Sequence, residues 1–327
     1  MGLFIIIFSA SFLLTFLIKV FAQKKLLLDM PNERSSHTVP TPRGGGLAIA
    51  LTWFLGLSFL YYSNKIENNL YYALMSGILI SSISFIDDLI NLKSLPRLFV
   101  QAIAAAMALF FIGGISSIDF GFFIIENKLL LNTVAFFGII WFINLFNFID
   151  GIDGYAASEA IFVLSSLFFF LQDSFLLALV MATLGFLPWN WDKAKIFMGD
   201  IGSTLLGFSI IIIALFYHNS GQFSIFNSLI LTSLFWFDAT YTLIRRYLNK
   251  EKISQAHRKH AYQRIVQFGY SHQKTVIYAT FANLFMFLLV FFSTKYSEFT
   301  LVFFIMCLTV LFLINKMVDK KMPFTTK

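Results

Sequence analysis

Long apolar runs broken by short polar segments make up most of this chain. Eleven of them approach membrane-crossing length: Leu3–Val20, Leu47–Tyr62, Leu70–Ile86, Leu98–Ile112, Leu129–Ile143, Ala156–Leu171, Phe175–Leu187, Thr204–Tyr217, Phe226–Ile244, Val276–Phe292 and Phe299–Ile314. A helical span needs roughly 20 such residues, and in lipid the backbone has to satisfy its own hydrogen bonds. The pattern therefore predicts an all-α polytopic integral membrane protein with about 11 transmembrane helices, forming a single membrane domain over residues 1–327.

Composition agrees. The chain is 58% hydrophobic and 13% charged, with a mean hydropathy of +0.78, outside the range of soluble globular domains. A single cysteine, Cys307, excludes an internal disulfide. No positive charge precedes Leu3, whereas Lys24 and Lys25 follow the first run. The first run thus reads as a retained span with its N-terminus outside, not as a cleavable signal.

A net charge of +7 would fit a nucleic-acid partner, but its distribution argues otherwise. The loops after odd-numbered runs, with the C-terminal tail, hold 20 of the 24 Lys and Arg residues, and the opposite loops hold only Lys65, Lys128 and Lys295. That asymmetry is the positive-inside pattern, and it supports an odd number of spans and a cytoplasmic C-terminus. The basic excess reports topology first, with attraction for anionic substrates or the headgroups of the lipid bilayer as a secondary effect.

The polar segments on the basic side carry the candidate chemistry. Asn144–Gly154 reads N-L-F-N-F-I-D-G-I-D-G between two apolar runs. If the preceding helix continues, the three-residue spacing stacks Asn147, Asp150 and Asp153 on one face. Taken alone, an Asp-Gly pair ending a helix explains the segment equally well. Asp29–Gly46 reads D-M-P-N-E-R-S-S-H-T-V-P-T-P-R-G-G-G. Its prolines forbid a continuous helix, while Arg34, His37 and Arg43 suit phosphate and a helix opening after Gly46 would offer N–H groups to an anion. F-I-D-D-L-I-N-L places Asp87 and Asp88 at the exit of the third run, with Asn91 on the face of Asp87. In F-M-G-D-I-G-S, Asp200 stands between Gly199 and Gly202 at the mouth of the eighth run. The plainer explanation for each of these acids is a helix cap.

The longest polar loop, residues 245–274, contains A-H-R-K-H-A-Y-Q-R. His257 and His260 are spaced as metal ligands can be, but Arg258, Lys259 and Arg264 would repel a cation, so anion binding is the better functional reading. An amphipathic headgroup helix is the alternative. His272 is expected to cap the following span. Every such constellation lies on the basic side, whereas Glu67, Asp119, Glu126, Asp173 and Glu298 are scattered singly on the other. Independent helix caps would not choose one side. Carboxylates and Asn beside Arg and His, at the membrane boundary, suit Mg²⁺-assisted phosphoryl transfer between a lipid and a soluble, highly charged donor. Since no loop exceeds about 30 residues, an ordinary nucleotide-binding domain has no room, and residues 23–46, 87–97, 144–155, 188–203 and 245–275 have to build the site together.

Those motifs, in that order from Asp29 to about Tyr270, resemble the bacterial polyprenyl-phosphate N-acetylhexosamine-1-phosphate transferases of glycosyltransferase family 4. The resemblance implies transfer of an N-acetylated sugar 1-phosphate from a UDP-sugar to undecaprenyl phosphate at the inner membrane, with release of UMP. It implies a cytoplasmic active site, Mg²⁺ or alternatively Mn²⁺, and it allows a homodimer. Relatives often carry H-x-H-H-R-L before a G-F pair. Here His260 matches the first histidine and Arg264 the arginine, while Tyr262 and Gln263 fall on the other two histidines. A-H-R-K-H-A-Y-Q-R is closer to the O-antigen initiating subgroup, with UDP-FucNAc or UDP-QuiNAc as donor. On this resemblance, Asp200 and Asn147 hold the metal, with Asp150 and Asp153 as near ligands or supports. Asp87 and Asp88 position the acceptor phosphate, and Asp87 is the family's usual candidate base. Arg34, His37, Arg43, Asn91, Asn144 and Arg264 contact substrate, and His260 joins the catalytic group. Chemistry tempers the base role. A phosphate monoester, with a second pKa of about 6, is mostly dianionic near neutrality and an ordinary Asp near 3.9 is a weak base for it. An ion-coupled transporter, the rival class, would place its acids near the midplane in paired repeats, which this sequence does not show.

Overall fold

With no water to bond to in hydrocarbon, the apolar runs close their hydrogen bonds internally, and each one lies within helix. A computed structural model describes residues 2–25, 28–31, 39–253, 255 and 257–324. The helices are α1 (Gly2–Lys24), α2 (Gly46–Tyr62), α3 (Asn68–Met75), α4 (Gly77–Ile90), α5 (Ser94–Ile112), α6 (Lys128–Phe148) and α7 (Tyr155–Leu171). They continue with α8 (Leu176–Asn190), α9 (Gly199–Asn219), α10 (Ile225–Leu231), α11 (Ser233–Leu248), α12 (Ala261–Gln267), α13 (His272–Lys295) and α14 (Thr300–Lys321). Among the described residues seven helical stretches are long and apolar enough to cross a membrane: α1, α3 with α4, α5, α6, α9, α13 and α14 with the short turn before it. Apolar helices α2, α7 and α8 are shorter, and the ninth apolar run divides at Thr232 into α10 and α11. The chain is an all-α polytopic membrane protein.

Helix α9 is the hub. Its spanning window is 83% buried, against 17% for α1 and 22% for α14, whose sides are left for lipid. Because lipid is as apolar as leucine, packing here relies on close contact and polar bonds between helices, not on removal from water. Ser84 of α4 meets Thr204 of α9 at 3.0 Å, and Ser203 of α9 donates to Asn147 of α6 at 2.6 Å.

Helix ends sort into two sets. At one end gather the last turns of α4 and α6, the first turns of α2, α5, α9 and α13, and α12. A two-stranded ladder, β1 (Leu28–Asp29) with β2 (Thr41–Pro42), lies there and is continued by Phe197, whose N–H donates to Pro42 at 2.8 Å. At the other end a second ladder, β3 (Ile118–Asp119) with β4 (Ile124–Ile125), sits near His218, which bonds Ser117 at 3.0 Å. Segments 87–97, 144–155 and 188–203 therefore meet, although as many as 103 residues separate the bonded pair Arg97 and Asp200.

Candidate active site

Arg97 joins the two acids that the sequence placed in different loops. Its Nη1 donates to Asp87 Oδ2 at 2.6 Å and to Asp200 Oδ2 at 2.7 Å. Asp87 closes α4, Arg97 lies in the first turn of α5, and Asp200 lies in the first turn of α9. Asn91 takes a left-handed φ of +51° to end α4 and does not continue the helical face of Asp87; its N–H donates to the Asp87 carbonyl at 2.8 Å. The tight turn lets the Leu92 N–H donate to Asp87 Oδ1 at 2.6 Å, which orients the carboxylate. Asp200 is not a cap: Met198 holds that position, and the Asp200 carboxylate faces Arg97 and the Asn147 side chain.

Asp88 also lies against the start of α9, within reach of the Asp200 charge. Its carbonyl accepts from Arg43 Nη2, and its Oδ2 is buried with no hydrogen-bond partner in the protein. Gly199 permits this arrangement, since it has φ +72° and a Cβ there would lie 2.7 Å from Asp88 Oδ2. An apolar cleft of about 310 Å³, walled by Leu17, Phe21, Leu47, Phe85 and Leu89, ends at Arg43 and Asp88. The N–H groups that open α2 do not face an anion. Gly45 and Gly46 donate to Phe197 and Met198 carbonyls at 2.9 and 2.8 Å, locking the α2 start to the α9 start. Arg34 and His37 lie outside the described residues.

The Asn147–Asp150–Asp153 stack does not form, because α6 stops at Phe148. Tyr262 from α12 donates to the Phe148 carbonyl at 2.7 Å, and the chain turns there. Asn147 stays in the last helical turn, next to α9. Asp150 sits in the turn, where burial and then the charges of Asp200, Asp88 and Asp153 push its carboxyl up to about 8. Asp153 fastens the turn: its carboxylate accepts from the Ala194 N–H at 3.1 Å and lies 3.2 Å from His272 Nδ1. His272 is thus a neighbour of Asp153, and Ser271 caps α13 instead. Asn144, one turn deeper, donates to Gln101 Oε1 at 2.8 Å and links α6 to α5.

The basic loop is bonded to protein groups, several of them at the end of α14. Arg264 Nη1 donates to Asp319 Oδ1 at 2.7 Å and to the Met322 carbonyl at 2.9 Å, while Arg245 pairs with both Asp319 oxygens at 2.9 and 3.0 Å. Arg246 and Lys259 bond Glu251 at 3.1 and 2.6 Å. His260 is buried and stacks between Tyr262 and Phe148. Burial first, and then Arg246 and Arg264, lower its pKa to about 4, and burial lowers His257 to about 3. Both imidazoles are neutral near pH 7, so they bring hydrogen bonding but no charge to a phosphate. The pH consequence follows from linkage. Between about 6.5 and 4 the unfolded chain takes up a proton that folded His260 refuses, so this contribution to stability is complete above 6.5 and lost as pH falls. Asp150 has the opposite sign, losing stability as pH rises through about 8. Thermal midpoints taken at pH 7.5 and 4.5 are expected to fall less for His260→Gln than for the wild type, by up to about 3 kcal/mol in free energy.

Among the described residues no three His, Cys, Asp or Glu side chains come together as a metal cage. The donors nevertheless fit Mg²⁺. Asp87 and Asp200 already share one cationic group, Asn147 adjoins them, and Mg²⁺ binds through one or two carboxylates with water and substrate phosphates completing its shell. Arg97 is the residue that sequence reasoning passed over by counting it only as a topological charge. Its signal was position: the first-turn cation of the helix that follows the Asp87–Asp88 pair.

Residues 70–218 match the profile of glycosyl transferase family 4. Over 289 residues the chain is 31% identical to a probable undecaprenyl-phosphate N-acetylglucosaminyl 1-phosphate transferase of Bacillus subtilis (strain 168), covering 84% of this chain and 79% of that one. The chain belongs to glycosyl transferase family 4. Other relatives align as well. A decaprenyl-phosphate N-acetylglucosaminephosphotransferase of Mycobacterium tuberculosis (strain ATCC 25618 / H37Rv) is 27% identical over 305 residues, 80% of this chain and 74% of its own. A phospho-N-acetylmuramoyl-pentapeptide-transferase of Staphylococcus saprophyticus is 34% identical over 194 residues, 51% of this chain and 59% of its own. The family resemblance read from the motifs therefore holds. The family profile spans α3 through most of α9 and so includes Asp87, Arg97, Asn147, Asp150 and Asp200.

Proposed function

We propose that this protein transfers an N-acetylated sugar 1-phosphate from a UDP-sugar to undecaprenyl phosphate. The products are undecaprenyl-diphosphate sugar and UMP, and the reaction is the first membrane step of a cell-envelope polysaccharide. The observation that carries this reading is the meeting of Asp87, Asp200, Asn147 and Asp150 from three separate segments at one end of the bundle. An acceptor phosphate oxygen attacks the sugar-bearing phosphorus of the donor, a new P–O bond forms, and the bond to UMP breaks. Mg²⁺ held by Asp200, Asn147 and Asp87 would draw charge from the donor diphosphate. A hydrocarbon tail in the apolar cleft brings its phosphate to Asp88 and Arg43. Since that phosphate is already dianionic near neutrality, Asp87 and Asp88 serve to position it more than to deprotonate it.

Counting α2, α7, α8 and the α10–α11 pair as crossings gives eleven. An odd count puts the two termini on opposite sides, and the basic loops favour the reading with the N-terminus outside and the site end in the cytoplasm. The relatives' names favour an N-acetylglucosamine donor, and the His-Arg segment favours UDP-FucNAc or UDP-QuiNAc with O-antigen as the polymer. The deciding experiment supplies membranes containing the protein with undecaprenyl phosphate, Mg²⁺ and each of these UDP-sugars. Lipid-linked sugar and stoichiometric UMP are expected with one of them. Absence of UMP release with every donor, in folded protein, would remove the proposal.

A further inference from the structure

Arg97 occupies a place that a divalent cation would need. One nitrogen, Nη1, lies within 2.7 Å of carboxylate oxygens from two different helices, Asp87 Oδ2 and Asp200 Oδ2. Mg²⁺ would be held by the same two carboxylates at ligand distances of about 2.1 Å, so the nitrogen and the ion would exclude one another. Asp87 cannot turn away to serve both, because its Oδ1 is held by the Leu92 N–H at 2.6 Å. Arg97, in the first turn of α5, has a side chain that is 32% exposed, so its way out of the pair leads toward solvent.

We propose that Arg97 is a cationic placeholder: it neutralises Asp87 and Asp200 in the resting protein, is displaced when the divalent ion enters, and then turns its charge to the donor diphosphate. The inference rests on the metal reading of the same site. Without a cation, two carboxylates this close repel each other and invite any divalent ion at any time. With Arg97 between them, an ion arriving alone has to break two ion pairs. An ion arriving with a diphosphate does not lose that interaction, because the phosphates give the guanidinium a new bidentate partner. The device couples metal capture to donor binding, and it assigns Arg97 a role toward the metal opposite in sign to that of a ligand.

The test is a Mn²⁺ titration of full-length protein purified in detergent, read by electron paramagnetic resonance of free Mn²⁺, with and without UDP-N-acetylglucosamine. Arg97→Met is expected to bind Mn²⁺ about fivefold more tightly than the wild type without nucleotide, the weight of two partly exposed ion pairs, while its turnover falls. Arg97→Gln removes the charge but keeps a polar side chain at this partly exposed position, so it serves as the second variant should Met fail to fold, and it should tighten Mn²⁺ similarly. In the wild type, nucleotide should strengthen Mn²⁺ binding more than in either variant. A scaffolding role alone would leave Mn²⁺ affinity unchanged or weaker in both variants, and that result overturns the placeholder while the metal reading stands. Wild type that binds no Mn²⁺ under either condition overturns the metal reading and the placeholder with it.

Discussion

Replacing Asp200 by Asn is expected to lower sugar-phosphate transfer by about a thousandfold, the scale on which loss of one charge-stabilising group acts in a water-poor site. The change keeps the shape of the side chain and its contact with Asn147, and Arg97 keeps its bond to Asp87 at 2.6 Å. What disappears is one of the two negative charges between which a divalent cation would sit. Mg²⁺-dependent UMP release, measured beside a thermal unfolding curve, separates the outcomes. A folded variant with full turnover would show that Asp200 holds no metal.

Gly46→Ala is expected to be nearly as damaging, although Gly46 carries no functional group. A Cβ at Gly46 would lie 2.3 Å from the Gly202 nitrogen, 2.4 Å from its Cα and 2.9 Å from the Met198 carbonyl. These are backbone atoms of the α9 start, so no rotamer change relieves the clash. The α2 and α9 starts have to separate, and the Gly46 N–H bond to Met198 at 2.8 Å goes with them. Asp200 rides on the displaced turn. A shift of about 1 Å at a reacting site costs on the order of a hundredfold in rate, and forced overpacking costs about 1–3 kcal/mol in stability. Gly138→Ala provides the control, because a Cβ at Gly138 in α6 meets nothing within 4 Å and should leave turnover alone. Transfer rates and unfolding midpoints of the two variants, compared side by side, check this; equal activity would mean that the α2–α9 clasp does not hold the site.

Much of the architecture is legible in the sequence. An apolar run in lipid has helix as its only economical form, which is why all eleven runs lie in helices even where α3–α4 and α10–α11 divide. The acids, too, were legible as a group by their concentration at one set of helix ends. The face that each side chain presents was not. Helical spacing stacked Asn147, Asp150 and Asp153, but the helix ends at Phe148, where Tyr262, more than a hundred residues away, takes the carbonyl. The basic loop looked like a row of phosphate ligands, yet Arg264 and Arg245 are matched to Asp319 at the end of α14. No local pattern announces that pairing.

By itself the sequence determined the membrane class, the helices, the family and the segments in which the acids lie, because hydrophobic length, charge asymmetry and motif order are local or additive properties. Only the tertiary structure decided which acids share a cation, that Arg97 stands between Asp87 and Asp200, and that the glycines after Arg43 clasp α9 and do not cradle an anion. Those depend on distances between residues far apart in the chain, and such distances are set by how the helices pack.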